Sequence, residues 1–234
     1  MVNFMVDLET LSTESNAIIL TIGCVPFGSD GSLIVDKDLY FYNRVELSSY
    51  NEIMDDFHMD FNTLLWWLDQ EAEPLSEAFK TGPRKPIEDV MASFALWIIQ
   101  ICNYCRSSEI AMWSHGKDFD CVVLQNAFKV FGIPCPWKYW NTRDTRTIYS
   151  LAGVDTRNIK MPEGFKAHNA IGDCLKQIEG IRQSFNIINN IRNQTSQTSD
   201  NLEENSELDP ESEPCEKRKR RSERLNNTNK KPKV

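Results

Sequence analysis

Residues 5–12 read MVDLETLS, directly after the apolar start MVNF. A short hydrophobic run ends in two acids, Asp7 and Glu9, with Leu8 between them. Side chains alternate across a β-strand, so the two acids share one face while Val6 and Leu8 take the other. Carboxylates that close disfavour each other's ionised form unless a cation sits between them. A strand at the edge of a buried core that aims two acids the same way needs a chemical reason.

Outward from this stretch, residues 4–6, 17–25 (AIILTIGCV) and 39–45 (LYFYNRV) are apolar and rich in β-branched and aromatic types. Turn signals such as GSDGS separate them, which predicts three neighbouring strands in an antiparallel meander. NTLLWWLDQ follows, then PIEDVMASFALWIIQICNYC, whose apolar spacing of three and four predicts a helix. The second half alternates. Residues 110–113 read as a strand, and residues 119–131 as an amphipathic helix stopped by Gly132 and Pro134. Residues 139–148 carry a short strand or a helix start, and residues 169–191 a long helical pattern. Antiparallel strands followed by helical crossovers describe an α/β fold with a mixed sheet covered by helices.

The chain has 234 residues, enough for one sizeable core and an appendage. Beyond residue 191 the composition changes: NQTSQTSDNLEENSELDPESEPCE is acidic and nearly free of apolar residues, and KRKRRSERLNNTNKKPKV is basic. Such segments bury too little surface to offset chain entropy, so residues 1–191 are expected to fold and residues 192–234 to form a disordered tail. The net charge of −8 argues against a nucleic-acid partner only as an average, because the charge is so unevenly placed. Lys217–Arg221 and Lys230–Lys233 resemble a two-part nuclear import signal; the alternative is a solvated polycation that tethers nucleic acid. The acidic run before them competes for the same charges. Seven cysteines, an odd number without secretory signal features, point to a reducing intracellular compartment, cytoplasmic or, if the tail is an import signal, nuclear. Nothing approaches the length of a membrane span, so no membrane partner is expected.

Two further acidic sites complement the first. In WSHGKDFDCVVLQNAF, Asp120 follows a Gly-containing loop at a helix start, and Asp118 is placed to cap that helix. In HNAIGDCLKQ, Asp173 lies near the start of the last long helix, with His168 five residues earlier. Five helical residues rotate about 140° beyond a full turn, so His168 belongs in the preceding loop, free to reach over the site. Gly164 and Lys166 fit a mobile loop there. Together Asp7, Glu9, Asp120 and Asp173 make a hard oxygen donor set that suits two Mg²⁺ ions, with Mn²⁺ as the alternative, because zinc favours Cys and His. Two such ions about 4 Å apart clamp a phosphodiester, and a neutral histidine beside them takes a water proton near neutral pH. The blander reading of Asp7 and Glu9, a solvated strand end, loses ground once the other three residues are added.

D-x-E near the start, FD in the middle and H-x-x-x-x-D near the end resemble the DEDDh 3′–5′ exonucleases of the ribonuclease H-like superfamily. VDLET with the IILTIG strand, LLWWLDQ, PWKYWNTRDTRTI and HNAIGD, in that order, are similar to the ribonuclease T-like and phage exonuclease branch over about residues 1–190. The resemblance implies a ribonuclease H-like sheet of three antiparallel strands followed by parallel ones. It implies that Asp7, Glu9, Asp120 and Asp173 hold two metal ions and that His168 is the general base. It also implies that Thr10 and Leu11 contact the terminal nucleotide. The substrate would be single-stranded DNA or RNA, degraded from the 3′ end to nucleoside 5′-monophosphates; the resemblance allows a homodimer.

Other residues divide between chemistry and structure. Trp66 and Trp67 diverge by about 100° on a helix, so one packs inward and the other faces the groove. Core packing is the better reading of the pair, with Trp67 the candidate for substrate contact and Gln70 one turn on. Arg143 and Arg146, with Lys138 and neighbouring aromatics, suit a strand-binding groove, while Asp144 offers them a local ion-pair partner. His58 has no catalytic setting, and His115 beside Gly116 shapes a loop. Cys102 and Cys105 lie in an apolar helical run and read as buried thiols rather than a metal site. The rival functions are a metal-dependent endonuclease on the same fold and a non-catalytic nucleic-acid-binding or adaptor protein.

Overall fold

The structure, a computed structural model, describes residues 1–80 and 82–206, with side chains up to Gln194. Five strands form one sheet: β1 (Val2–Thr10), β2 (Ile19–Phe27), β3 (Phe41–Arg44), β4 (Ile110–Ser114) and β5 (Thr142–Asp144), in the order β3-β2-β1-β4-β5. β1, β2 and β3 pair antiparallel, and β4 and β5 run parallel to β1. The expected mixed sheet is therefore present, with β1 at its centre. Helices α1 (Phe61–Leu68), α2 (Ala72–Phe79), α3 (Ile87–Tyr104), α4 (Asp120–Val130), α5 (Thr145–Ala152) and α6 (Ala170–Ser206) flank it.

Alternation along β1 sets the two cores. Val2, Phe4, Val6 and Leu8 pack into the larger one, with Phe94 and Ile98 of α3 and Leu124 and Phe128 of α4. Met5 packs on the other face with Ile171, Cys174, Ile178 and Ile181 of α6 and Tyr149 of α5. Asp7 and Glu9 share the face of Met5, so they stand where the smaller apolar core gives out beneath α6.

Several boundaries depart from the sequence reading. Residues 37–39 form a 3₁₀ turn, so β3 starts only at Phe41. α2 was not expected; Pro74 in its first turn hides a helix whose inward residues are Leu75, Ala78 and Phe79. Residues 139–148 hold both alternatives, β5 and then α5, with Asp144 as the N-cap that accepts from the Arg146 N–H at 2.9 Å.

The chain divides into units Met1–Asn190 and Ile191–Val234. Among the described residues α6 runs past the expected boundary at residue 191, as helix to Ser206. A helix already nucleated extends at one hydrogen bond per residue even through polar sequence. The basic clusters, Cys215 and most of the acidic run lie outside the described residues. No helix among the described residues is long and apolar enough to cross a membrane.

Candidate active site

The site is built on the second half of β1. Pairing with β4 ends at Met5↔Trp113, whereas pairing with β2 continues, and the β1–β2 register shifts between Glu9 and Thr10. Such an irregularity re-aims side chains at a strand end. The Leu8 N–H, past the end of the β4 ladder, donates to Asp120 Oδ1 at 3.1 Å. Asp120 is thereby anchored in the first turn of α4 against β1.

Opposite Asp7 in the β1–β2 register is Gly23. A β-carbon there would stand 2.6 Å from the carbonyl carbon of Ala170, so the start of α6 rests directly on bare backbone. This close approach carries Asp173, in the first turn of α6, to the two acids of β1. Asp7, Glu9 and Asp173 each offer a carboxylate oxygen within 4.8 Å of the others. Asp120 stands outside that tight triad, near enough for its charge to bear on both Asp7 and Glu9.

The electrostatics follow from crowding in a dry place. Burial, then the charges of Asp173 and Asp120, pushes Glu9 up to about 8. Burial raises Asp120 to about 7 against the pull of the Leu8 N–H. Burial, then Asp120, Glu9 and Asp173, holds Asp7 well above the ordinary carboxylate range, and a hydrogen bond from Gln177 pulls the other way. Burial raises Asp173 as well, while the His168 backbone N–H, donating at 2.9 Å, opposes it. Four acids that resist ionisation together, with no histidine or thiolate in the triad, make a donor set suited to hard divalent cations. The residues present fit such ions.

Sequence reading missed Gln177. It lies one turn after Asp173 on α6; its Nε2 donates to Asp7 Oδ1 at 2.9 Å, and its Oε1 is buried without a partner. The backbone carbonyl of Gln177 accepts the Tyr149 hydroxyl at 2.6 Å, which ties α5 to the same point. The signal was available, since i and i+4 share a helix face.

His168 sits in the loop before α6, as its spacing from Asp173 required, with a positive φ of 63°. Its ring lies edge-on to Trp66 at 4.9 Å and to Trp67 at 6.1 Å. Ion pairs from Lys166 to Glu73 (2.8 Å) and Glu71 (3.6 Å) join this loop to the start of α2.

Beside Glu9 a cleft of about 440 Å³ opens between the end of β1 and α1, lined by Leu8, Thr10, Thr63, Trp66 and Phe119 among others. Thr10 faces it, but Leu11 does not and its assignment is corrected. Leu11 is 3% exposed, its N–H donates to Ile18 and its carbonyl accepts from Asp60, so side chain and backbone are both spent on the fold. Trp67 is corrected too: it is 1% exposed, and its indole N–H donates to the Thr10 carbonyl at 2.9 Å. Its edge borders the cleft, but its ring faces are buried, and Trp66 is the exposed member of the pair. Gln70 bonds back to the Trp66 carbonyl. Asp118 does not cap α4; it pairs with Lys117 at 2.7 Å in solvent. His115 is held by Thr145 Oγ1 at 2.7 Å, and Ser12 by His58 Nδ1 at the same distance.

Arg146 reaches back to the loop before α4. Its guanidinium lies 2.9 Å from where a β-carbon on Gly116 would stand, and its charge lowers the Asp120 pKa. Arg143 is fixed by the carbonyls of Trp140 and Thr142, at 3.0 and 2.9 Å. Neither arginine forms the ion pair with Asp144 that the sequence suggested, because that carboxylate caps α5.

Comparison with known proteins agrees with this architecture. An exodeoxyribonuclease of Enterobacteria phage T4 is 24% identical over 205 residues, covering 76% of this chain and 86% of the phage protein. The fold is that of exonuclease I, known from a structure described as suggesting how processivity is achieved (TM-score 0.50, 15% identity, 78% of this chain and 40% of that one). The E. coli exonuclease I complex with a 5cy-dT13 oligonucleotide gives the same TM-score and identity over 85% of this chain and 45% of its own. The chain thus spans less than half the length of these solved structures. Residues 2–185 match one family over most of the chain, and the protein belongs to it: the Rv2179c-like 3′–5′ exoribonuclease domain family.

Proposed function

We propose that this 3′–5′ exonuclease domain hydrolyses single-stranded nucleic acid from its 3′ end and releases nucleoside 5′-monophosphates. The observation that carries the reading is the meeting of Asp7, Glu9 and Asp173, from opposite ends of the chain, with carboxylate oxygens within 4.8 Å. Asp7, Glu9, Asp120 and Asp173 would hold two Mg²⁺ ions, with Mn²⁺ as a substitute. Such ions, when bound, supply the positive charge that lowers the pKa of the attacking water and steadies the leaving oxygen. His168 accepts the proton of that water after its ring turns off Trp66, a short movement for a loop residue. Thr10 borders the terminal nucleotide in the cleft, and Arg146 offers charge to the scissile phosphate from the Asp120 side. Trp67 acts indirectly by fixing the Thr10 carbonyl.

The T4 relative is named for DNA and the family for RNA, and both sugars suit this donor set. Purified protein with Mg²⁺ should shorten a 5′-labelled oligonucleotide stepwise and leave a circular single strand intact. Asp7→Ala and Asp173→Ala should each abolish shortening in a folded protein. Full activity in either variant would overturn the site, and cutting of the circle would favour the endonuclease reading. Matched DNA and RNA oligonucleotides decide the sugar.

A further inference from the structure

β5 is an open edge of the sheet, and the turn that leads into it carries an unusual surface. Tyr139 is 74% exposed and Trp140 58%, two large rings left in solvent on a 3₁₀ turn, Tyr139–Asn141. The turn is not loose. The Asn141 N–H donates to the Lys138 carbonyl at 2.8 Å, Thr142 Oγ1 to the Tyr139 carbonyl at 2.9 Å, and Arg143 to the Trp140 carbonyl. The rings meet edge to face with centroids 4.8 Å apart, and Lys138 Nζ stands 5.2 Å over the indole.

The turn and the strand after it also carry a local excess of positive charge, Lys138, Arg143 and Arg146 against Asp144. Lys138, Arg143 and Arg146 form no ion pair among the described residues, although the chain as a whole is acidic by eight charges. Three cations, one acid whose carboxylate caps α5, and two exposed aromatic rings thus fall within nine consecutive residues. The run ends at the candidate site, since Arg146 lies against Gly116 and bears on Asp120. From Trp140 to Arg146 the chain reaches at most about 20 Å, the span of a few nucleotides.

We propose that the Lys138–Tyr139–Trp140 turn and the β5 edge form a docking track for the single strand whose 3′ end occupies the site. Bases upstream of the cut stack on Trp140 and Tyr139, and their phosphates meet Lys138 and Arg143. Every base has a π-face and every linkage a phosphate, so such a surface grips without reading sequence. The track rests on the exonuclease reading and adds to it a reason for longer strands to bind better than short ones.

The test compares wild type with the double variant Tyr139→Ala/Trp140→Ala and with Lys138→Glu, all with Mg²⁺. Substrates are a 5′-labelled oligothymidylate of about a dozen nucleotides and the dinucleotide pdTpdT. The double variant should raise KM for the longer strand about tenfold at nearly constant kcat, and leave the dinucleotide KM within about twofold. Lys138→Glu should flatten the dependence of binding on log salt by about one phosphate contact. Unchanged KM for the longer strand overturns the track, as does an equal rise for both substrates. A dimer that becomes monomeric in the double variant, by sedimentation, assigns the face to a second copy instead. If wild type degrades neither these substrates nor their oligouridylate counterparts, the exonuclease reading fails by itself. The track is then judged by anisotropy of labelled oligothymidylate in EDTA, where the double variant must bind about tenfold more weakly.

Discussion

Gln177 Nε2 lies 2.9 Å from Asp7 Oδ1, so an amide from the last helix steadies a carboxylate of the first strand. Carboxylates that bind metals depend on hydrogen bonds of this kind for orientation, and losing one costs about tenfold or more in affinity. Gln177→Leu should therefore weaken Mg²⁺ and Mn²⁺ binding by about tenfold in calorimetry. The variant should remain folded, because the Tyr149 bond goes to its backbone and not to its side chain. Equal affinity in the variant would remove Gln177 from the site.

Protonation gives a second test. Glu9 at about 8 and Asp120 at about 7 hold protons in the folded chain that an unfolded chain has already lost above about pH 4.5. Between about pH 4.5 and 8 the folded state binds more protons than the unfolded, so stability falls as pH rises. In EDTA the melting temperature should drop from pH 5.5 to 8 and level off beyond. Mg²⁺ competes with those protons, so the rise in melting temperature it causes should grow over the same interval. A Mg²⁺ effect that shrinks with pH would contradict the assignment.

The contact under α6 gives a third. Gly23→Val would force side-chain carbons into the Ala170 backbone, 2.6 Å from its β-carbon position. Overpacking of this sort costs about 1–3 kcal/mol. Because the backbone of α6 has to lift, activity should fall much further than the fraction folded. Denaturant melts and oligonucleotide turnover on the same sample separate the two.

Trp67→Phe keeps the buried ring and deletes the bond to the Thr10 carbonyl. An unpaired buried acceptor costs about 1–3 kcal/mol. The variant should lose that much stability and raise KM more than it lowers kcat. Trp66→Ala removes ring contacts with Trp67 and His168 and should cost about 1 kcal/mol.

Much of this was legible in the sequence because period-two alternation is strict. MVDLE fixed which face of β1 carries the acids, and the five-residue step from His168 to Asp173 placed one in a loop and the other on α6. What escaped depended on contacts distant in sequence. Leu11 and Trp67 look like substrate residues until Ile18, Asp60 and Thr10 take their polar groups. Asp118 looked like a cap, but Lys117 offered it a partner in solvent. α2 was hidden by Pro74, and the length of α6 by polar residues that a nucleated helix tolerates. Gly23 reads as an ordinary strand glycine; its importance appears only when Ala170 lands on it.

That landing also sets an order of events in synthesis. Asp7 and Glu9 leave the ribosome first and Asp173 well over a hundred residues later, and chains fold from the N-terminus as they emerge. Until α6 settles on Gly23, the growing polypeptide has the sheet and most of its core but only part of its acid cluster. On the proposed reading, the acid cluster is therefore complete only once the first turn of α6 is in place.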